Sequence, residues 1–570
     1  MKKTFADLFA ETIKGIGVTE VFVYPGGTIA PLINAFVKLD VKIEVFKHEQ
    51  GAVFAAMAKA RITGSLQVAL VTSGPGLTNA LTPLADAFYD STPLFLVSGQ
   101  VGTADLASRQ GVRQRGFQEV PTSSIVKSIC KAVACPFSVH DAVSDMNYLL
   151  NEATNGRWGP VVFDLPMNIQ REELEYSSFD SSNSEQALAI SNDAITRVIS
   201  LLKSSTRTVV LLGHGAHQGD IYKKIHSFID AINAIVVTSL PGLGSFSTRS
   251  EKYFGYIGHT GHEVANLAVH ESDLLIVLGA RLDLRQTGTQ VNDFVPNGNV
   301  IWVNNDQAEL DEPRVKIDTA INSSINNFLD KIMPFIKNDS FLHDNSWLQK
   351  LHDIRVSDVE DHYDKSCTKK IYPKQILSKL NELIWDQEGF VVTGVGSHQQ
   401  WAARHIDYSP NTLKFLTSAG HGTMGYDLPS AIGAAMTYPE KQVYCIVGDG
   451  SLLMNIQELA SLKERDLNVK VILLNNNRLG IVSQFQQVTW GADPSTGCFS
   501  TPDFTKIAEG FGIKSSLVSS PSLLNEELKR AVANEGPYLL EIAIDHDSNV
   551  EPMLLAGHSM NDMWKDLDNV

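Results

Sequence analysis

Residues 447–480 read VGDGSLLMNIQELASLKERDLNVKVILLNNNRLG, and this stretch carries the clearest structural signal in the chain. An apolar run leads into Gly-Asp-Gly at 448–450, a helix-like segment follows, and a second apolar run, VKVILL, ends at the asparagines 475–477. The pattern predicts two strands joined by a helix. Because the carboxyl ends of neighbouring parallel strands lie at one edge of a sheet, Asp449 and Asn476 should lie close together despite the 26 residues between them.

The chemistry of these strand ends predicts a site for Mg²⁺ and a diphosphate. Asp449 offers a carboxylate oxygen and Asn476 a neutral carbonyl oxygen, and the backbone carbonyl of Arg478 would add a third, a set that suits Mg²⁺. A strand-to-helix turn and a terminal Asn cluster would each also be ordinary structural features. Their combination at this spacing, on two predicted strands, favours the binding site.

The glycines on either side of Asp449 support the same interpretation. Gly448 and Gly450 allow the backbone to approach a phosphate closely. A helix that begins near Ser451 would direct its N-terminus at that anion. We therefore predict that these residues bind the diphosphate of a cofactor.

Composition is typical of a soluble enzyme. The chain has 570 residues, of which 43% are hydrophobic and 19% charged, and it is long enough for several domains. The formal net charge of -17 argues against a nucleic-acid partner, although a local pocket can still be cationic. The N-terminal stretch MKKTFADLFAETIKGIG has the pattern of an amphipathic helix, and no apolar run approaches about 18 residues. We predict a cytoplasmic protein without a membrane segment.

Short β-rich runs alternate with helix-like segments along the chain, which predicts parallel strands with crossover helices. A Ser-rich stretch at 176–192 and a polar stretch at 337–371 separate three such blocks. The predicted fold is α/β, with three doubly wound parallel-sheet domains and ligands at the carboxyl ends of the strands. The predicted units are the domains 1–178, 193–336 and 372–550 and a tail, 551–570.

The sequence resembles the large catalytic subunit of acetohydroxyacid synthase, a family of thiamine diphosphate (ThDP) enzymes. The resemblance runs almost end to end, through VFVYPGG, HEQGAVFAA, TSGPGLTN, FQE, LGARLDLRQTG, TGVGSHQQWAA, GTMGYDLPSAIGAA, GDGSLLMNIQEL and NNNRLG. It implies a ThDP pyrimidine-binding domain, a central FAD-binding Rossmann-like domain and a domain for the diphosphate and Mg²⁺. Gly26, in VFVYPGG, would then be a cofactor-binding residue.

Glu49, in KHEQGA, matches the cofactor-activating glutamate of this family. By spacing alone it could equally be a half-exposed carboxylate on a helix. The resemblance implies that it contacts the pyrimidine ring of ThDP and promotes the imino tautomer, so that the cofactor can supply carbanion chemistry. In the family this contact crosses between two chains. We therefore expect at least a homodimer, with a tetramer as the other candidate.

Further cofactor residues follow from the resemblance. Met424 matches the bulky residue that holds ThDP in a bent conformation, although a methionine there could also be an ordinary core residue. Gly422 matches the carbonyl that holds the aminopyrimidine. Ser397 and His398 match a diphosphate-binding pair, with Ser397 in place of the more usual Gln.

The middle block resembles an FAD-binding domain with several changes. LGARLDLRQTG, which contains Arg281, is nearly intact, and Asp306 is retained in NNDQAEL. His214 replaces a glycine, and Asn304 replaces an aspartate. The resemblance implies a structural FAD, because the reaction transfers no net electrons. A flavin-free Rossmann-like domain, as in related decarboxylases, is the alternative.

The implied reaction is a carboligation, which makes the protein a transferase of aldehyde or ketone groups. Pyruvate would lose CO2, and the remaining two-carbon unit would be transferred to a carbonyl acceptor. Simple decarboxylases of the superfamily have paired histidines early in the chain, whereas here His48 stands by itself. Phe117 and Gln118, in FQE, match catalytic positions of the carboligating family. A catalytically silent protein of the same fold remains a hypothesis of another class.

The acceptor pocket departs from the family. Arg285 matches an arginine that holds an acceptor carboxylate. Phe485 replaces a tryptophan, His421 replaces an apolar residue, and Arg113 and Arg115 stand in RQRG, where GTDA is usual. These changes favour an unusual ketone acceptor such as a nucleotide-linked keto sugar, as in yersiniose-pathway acetaldehyde transferases. The alternative is a second 2-keto acid, as in acetolactate synthesis.

Overall fold

The computed structural model describes residues 2–106, 112–175, 189–218, 221–337, 339–359, 369–492 and 494–565. Within these ranges the chain forms three six-stranded parallel sheets, each covered by helices. The predicted α/β class with three doubly wound domains is confirmed. Most of the predicted Ser-rich separator, 176–188, lies outside the described residues.

The first domain has the strand order β3-β2-β4-β5-β7-β6. Its strands are β1 (Lys2–Thr4), β2 (Glu20–Val23), β3 (Lys42–Val45), β4 (Gln67–Val71), β5 (Leu94–Gln100), β6 (Ala132–Ala134), β7 (Pro160–Pro166) and β8 (Glu173–Glu175). Its helices are α1 (Phe5–Gly15), α2 (Ala30–Lys38), α3 (Glu49–Thr63), α4 (Pro75–Asn79), α5 (Leu81–Tyr89), α6 (Thr122–Val126), α7 (Val139–Thr154) and α8 (Met167–Arg171). The central strands β4 and β5 are buried along their whole length, which is why each contains an apolar run, VALV and LFLV, in the sequence. Strands β1 and β8 form a separate two-stranded antiparallel sheet.

The central domain has the order β11-β10-β9-β12-β13-β14 and all its strands are parallel, so the order in which the chain adds strands to the sheet reverses between β9 and β12. Its strands are β9 (Thr208–Leu212), β10 (Ile235–Thr238), β11 (Tyr253–Tyr256), β12 (Leu274–Leu278), β13 (Asn299–Asn304) and β14 (Thr319–Asn322). Its helices are α9 (Asn192–Ser204), α10 (Tyr222–Ala231), α11 (Glu263–Glu271), α12 (Leu284–Thr287), α13 (Gln307–Asp311), α14 (Ile325–Ile336) and α15 (Asn345–Val359). Such a reversal point is where doubly wound sheets bind ligands.

Helix α15 lies inside the polar stretch 337–371 that we expected to separate two domains. Trp347 and Leu351 are buried in the same apolar cluster as the central sheet. The stretch contains few apolar residues because one side of this helix faces solvent, and the apolar side chains on the other side attach it to the central domain.

The third domain has the order β16-β15-β17-β18-β20-β19. Its strands are β15 (Gly389–Thr393), β16 (Leu413–Thr417), β17 (Gln442–Gly448), β18 (Val469–Asn475), β19 (Lys514–Val518) and β20 (Tyr538–Ala543). Its helices are α16 (Pro373–Ile384), α17 (Ser397–His405), α18 (Asp427–Thr437), α19 (Asp449–Met454), α20 (Glu458–Glu464), α21 (Gly480–Trp490), α22 (Phe504–Gly510) and α23 (Pro521–Ala533). Short 3-10 helices occur at Gly27–Ile29, Thr103–Asp105, His214–His217, Leu240–Gly242, Val291–Asp293 and Pro494–Gly497.

Residues 551–565 pack on the central domain. Leu554, Met560 and Met563 are buried in the central apolar cluster. The Leu554 N–H donates to the carbonyl of His259 at 2.6 Å. This segment therefore extends from the third domain back to the central one.

The first and third domains of one chain contact each other through helices α3 and α18. Phe54 and Tyr426 meet edge to face, with ring centroids 5.4 Å apart. Gly433 allows α18 to approach the α3 backbone, because a Cβ there would lie 2.7 Å from the Cα of Ala55. The two helices therefore form a close-packed seam between the domains.

Candidate active site

Strands β17 and β18 bring the predicted metal ligands together. They are parallel neighbours, with Gly448 opposite Leu474, so Asp449 and Asn476 both follow the same sheet edge. Both side chains are buried, with 2% of Asp449 and 6% of Asn476 exposed. Helix α19 begins at Asp449, two residues before the predicted start at Ser451.

Asp449 has one oxygen ready for a ligand. Its Oδ1 accepts the Gly450 N–H at 2.7 Å, whereas the buried Oδ2 has no hydrogen-bond partner in the part of the chain that the structure describes. Burial raises the pKa of this carboxyl, and the nearby backbone N–H groups of Gly450, Arg478 and Asn477 oppose the rise. A buried oxygen without a partner is costly, and a bound cation would remove that cost.

Ser397 lies beside the same site. Its Oγ is also buried and lacks a partner within the described ranges. A Cβ added to Gly480 would lie 2.8 Å from Ser397 Oγ and 3.1 Å from Asn476 Nδ2, so these side chains border one small space that a glycine leaves open. The hydroxyl and the amide that border this space, together with the Asp449 carboxylate at the same sheet edge, fit a Mg²⁺–diphosphate group.

No three His, Cys, Asp or Glu side chains are grouped as metal ligands in the described chain. The predicted set contains a single carboxylate and would depend on phosphate and water oxygens, as Mg²⁺ sites commonly do. Arg478 is buried and its Nη1 donates to the carbonyl of His546 at 3.3 Å.

His398 and Ser451 are engaged in a buried network that the sequence did not indicate. His398 Nε2 and Asp427 Oδ1 are 3.0 Å apart. Ser451 Oγ donates to the same carboxylate and accepts the Gly425 N–H at 2.9 Å. Both side chains therefore contact other protein groups beside the site, and their predicted part in binding the diphosphate stays a prediction. Asp427, the centre of this network, was missed because it lies in an otherwise apolar helix.

Glu49 is buried at the start of α3, so its interpretation as a half-exposed surface carboxylate is wrong. Asn79 Nδ2 donates to its Oε2 at 3.0 Å. The other oxygen lies 3.6 Å from where a Cβ on Gly76 would stand. His48 caps the helix, because its Nδ1 accepts the Gln50 N–H at 3.0 Å.

The start of α3 also contacts the third domain of the same chain. Asn455 Nδ2 donates to Gln50 Oε1 at 2.8 Å and to the carbonyl of Gly425 at 2.7 Å. One amide group therefore connects the residue after Glu49 with the residue after Met424. The expectation that a second chain completes this site stays a prediction.

Met424 and Gly422 lie in the loop before α18. Gly422 has φ +75°, which favours glycine. A Cβ on Gly450 would lie 3.4 Å from Met424 Cε, so the methionine lies next to the turn that contains Asp449. Met424 is only half-buried, which argues against an ordinary core methionine.

Other predicted residues lie at the carboxyl edge of the first sheet. Gly26 packs against Thr72, whose Cβ would be 2.5 Å from a Cβ on Gly26. Gln118 has φ +63°, and its carbonyl would be 2.7 Å from a Cβ on Gly74. Phe117 is 85% exposed.

A cleft of about 1050 Å³, counting the solvent at its mouth, opens at the reversal point of the central sheet. Arg281, Arg285, Arg157 and the predicted glycine replacement His214 are among its lining residues. Removal from water lowers the pKa of His214 well below the ordinary value, so the arginines are the cationic groups of the lining. Arg157 is paired with Asp306 and Glu309 and Arg281 with Asp283, whereas Arg285 has no ion pair among the described residues. The cleft therefore suits an anionic nucleotide.

Asp306, which we expected at this cleft, is not one of its lining residues. Its carboxylate pairs with Arg157 at 2.9 Å and accepts the Ala308 N–H at 3.1 Å as a helix cap. Asn304 and Asn305 line the cleft in its place. The helix cap and the ion pair with Arg157 therefore engage both oxygens of the Asp306 carboxylate.

Comparison with known proteins agrees with this geometry. Residues 3–125 match the family described as thiamine pyrophosphate enzyme, N-terminal TPP binding domain, residues 195–332 its central domain, and residues 394–542 its C-terminal TPP binding domain. The acetolactate synthase isozyme 2 large subunit of Escherichia coli (strain K12) is 33% identical over 99% of both chains. Acetolactate synthase 1, chloroplastic, of Nicotiana tabacum is 32% identical over 98% of this chain and 84% of its own.

The chain belongs to the acetolactate synthase large-subunit family of thiamine pyrophosphate enzymes. The predicted resemblance is thereby confirmed. As a member of this family it is a ThDP enzyme of the carboligase kind. The described ranges contain no helix of the length and apolar character needed to span a membrane.

The residues predicted for the acceptor pocket of this thiamine pyrophosphate enzyme are only partly brought together. Arg285 lines the central cleft, and His421 stacks on Tyr89, another lining residue, with ring centroids 5.6 Å apart. Phe485 is 51% exposed on α21, and Arg113 and Arg115 are exposed in the segment before Phe117. No described contact joins these last three to the cleft. The sequence missed Tyr89, because nothing local distinguishes it from a surface tyrosine.

Proposed function

We propose that this protein decarboxylates pyruvate and joins the remaining two-carbon unit to a second 2-keto acid, with ThDP and Mg²⁺ as cofactors. One observation carries the proposal: two buried oxygens without partners in the described chain, on Asp449 and Ser397, stand at one sheet edge with Asn476. The relatives' printed name, acetolactate synthase, supports the 2-keto acid as acceptor.

ThDP, when bound, supplies an electron sink for the decarboxylation. Asp449 and Asn476 would hold Mg²⁺, with the Arg478 carbonyl as a further oxygen, and Ser397 would donate to the diphosphate. Glu49 would hold a pyrimidine nitrogen with the oxygen that Asn79 leaves free. Its burial strengthens such a hydrogen bond, because water does not compete for the carboxylate.

The central cleft supports FAD as a bound structural group. Its place at the reversal point of the sheet and its arginines fit a dinucleotide, and the reaction needs no net electron transfer. We also propose a cytoplasmic protein and at least a homodimer, with a tetramer as the larger candidate. Sedimentation of the purified protein would measure the assembly.

A second candidate acceptor is a nucleotide-linked keto sugar. Arg113 and Arg115 favour it, since both are exposed and neither forms an ion pair among the described residues. The His421–Tyr89 stack adds an aromatic surface near the cleft. Two arginines suit a diphosphate-bearing acceptor better than a small keto acid.

Product analysis tests both candidates. Purified protein would be incubated with pyruvate, ThDP, Mg²⁺ and FAD, with and without a nucleotide-linked 4-keto-deoxysugar. Acetolactate at a rate that the sugar does not change supports the 2-keto acid acceptor. Scant acetolactate together with a sugar two carbons heavier supports the keto sugar. Absence of CO2 release despite bound ThDP would contradict both and favour a catalytically silent protein.

A further inference from the structure

One face of helix α5 holds a loop of the third domain. Asp86, Tyr89 and the helix cap Asp90 follow the i, i+3, i+4 spacing that aligns side chains on one helix face. All three contact residues of the segment 417–423, hereafter the pyrimidine loop, which contains Gly422 and ends next to Met424. The loop comes from the third domain, whereas α5 belongs to the first.

Asp90 binds the backbone of this loop twice. Its Oδ2 accepts the Ala419 N–H at 2.9 Å and its Oδ1 the Gly420 N–H at 2.7 Å. The side chain is 5% exposed, so water does not compete for these bonds. Arg61 Nη1 lies 3.7 Å from Asp90 Oδ2 and donates to the carbonyl of Thr417 at 2.6 Å. Arg61 therefore compensates the buried charge of Asp90, and it also holds the start of the loop at Thr417.

Asp86 and Tyr89 hold the rest of the pyrimidine loop. Asp86 Oδ2 accepts from Ser418 Oγ at 2.7 Å, and the same Oγ accepts the Thr423 N–H at 2.8 Å. The Tyr89 and His421 rings are stacked at an interplanar angle of 10°. The loop is thus fixed on both sides of Gly422, the residue whose positive φ sets its turn.

We propose that Asp86, Tyr89 and Asp90 are positioning residues that shape the pyrimidine loop for the aminopyrimidine half of ThDP. The proposal rests on the function proposed above, in which Gly422 and Met424 receive that half. The diphosphate half depends on other elements, the ends of β17 and β18 and the start of α17. The two halves of the cofactor should therefore respond differently when this face of α5 is changed.

A pair of titrations tests this difference. Asp90→Asn keeps the size of the side chain but replaces one accepting oxygen with an amide that cannot accept. Calorimetric titrations, with Mg²⁺ and saturating FAD, would use ThDP as one probe and inorganic diphosphate as the other. We expect affinity for ThDP to fall about tenfold, the effect of one lost hydrogen bond to a charged group, and affinity for diphosphate to change less than twofold.

Tyr89→Leu provides a second variant that leaves the buried charges intact, so it should fold even if Asp90→Asn does not. It should weaken ThDP binding about threefold by removing the stack on His421. Asp466→Asn, at a side chain that is 71% exposed, is the matched control and should change neither affinity.

Equal losses for both probes would overturn the proposal, since they would indicate general damage to the fold. Unchanged ThDP affinity in both variants would also overturn it. If the wild-type protein binds ThDP no more tightly than it binds inorganic diphosphate, the assignment of Gly422 and Met424 to the aminopyrimidine half is contradicted. A wild-type protein that binds neither probe would contradict the proposed function itself.

Discussion

Asp449 shows at the scale of a residue how a site can oppose stability. A carboxylate that is 2% exposed keeps one oxygen without a described partner, a position that costs free energy in the absence of a ligand. Ser397 Oγ, beside Asn476 at the same sheet edge, is also buried without a described partner and adds a similar cost in free energy. Such atoms are retained where binding requires them.

Asp449→Asn should therefore separate stability from binding. We expect the variant without cofactors to be as stable as the wild type or slightly more stable, because a neutral amide is less costly to bury than a carboxylate. Its affinity for ThDP with Mg²⁺ should fall at least about 100-fold, through loss of the anionic ligand. Thermal unfolding and calorimetric titration check the two effects. A loss of stability without cofactors, with affinity retained, would contradict the assignment.

Asp164 predicts a pH dependence of stability at a position outside the site. Burial in β7 raises its pKa from 3.8 to about 6, although Gln100 donates to it at 2.9 Å. Since the folded state holds this proton more tightly than the unfolded state, the contribution to stability is present at low pH. It is lost as pH rises from about 4 to about 6, by about 3 kcal/mol in total.

Asp164→Asn removes this titration. The stability of the variant relative to the wild type should rise between pH 5 and pH 7, as measured by melting temperatures at closely spaced pH values. Because the variant and the wild type are compared at the same pH, the contributions of the other titrating groups to stability cancel. A difference between the two proteins that is constant with pH would contradict the raised pKa.

At the scale of elements, the seam between α3 and α18 joins the domains that share the thiamine site. Phe54 and Tyr426 pack across it, and Gly433 lets the helix backbones approach. The same seam fixes the start of α3, where Glu49 lies, relative to the pyrimidine loop before α18. Helix packing and the geometry of the site are therefore linked.

Gly433→Ala should destabilise the protein by about 1–3 kcal/mol, because the added methyl group meets the Ala55 backbone, which cannot rotate away. Gly510→Ala is the matched control: it also lies in a helix, and a Cβ there has no neighbour within 4 Å. The control should be neutral or stabilising by about 0.5–1 kcal/mol. Melting temperatures of the two variants check the contrast, and equal shifts would contradict the close approach.

At the scale of the whole molecule, Arg404 connects three parts of the chain. From α17 of the third domain, its guanidinium donates to the carbonyls of Thr260 and Gly261 in the central domain and of Glu551 and Pro552 in the C-terminal segment. These carbonyls belong to segments nearly 300 residues apart in the sequence. The planar guanidinium can donate to all four carbonyls because its N–H groups point in fixed directions.

Arg404→Lys should loosen the C-terminal segment. A lysine keeps the charge but offers a single donor group and cannot bind all four carbonyls. We expect limited proteolysis to cut after residue 550 faster than in the wild type, as followed by mass spectrometry, while ThDP affinity changes less than twofold. Arg530→Lys, at an exposed arginine on α23, serves as the control. Equal cleavage rates in all three proteins would contradict the connecting role.

In each of the three sheets, the sequence by itself determined those strands that are buried on both faces. The run of β12 is apolar throughout and that of β4 is apolar after Gln67, because helices cover both sides of a parallel sheet. The edge strands β3 and β19 lack this pattern, since KIEV and KSSLV are largely half-exposed and mix polar with apolar residues. Local pattern also determined the juxtaposition of Asp449 and Asn476, because strand order in a β-α-β unit follows from connection length.

Only the tertiary structure decided which residues support the site. Asn79 holds Glu49, Asp427 holds His398, and Asp90 holds the pyrimidine loop. Asp306, in contrast, lies at a strand end as expected but pairs with Arg157 beside the cleft. These partners are up to about 330 residues apart in the chain. Hydrogen bonds and ion pairs depend on distances in space, and local sequence periodicity carries no information about which remote side chain will fill a given place.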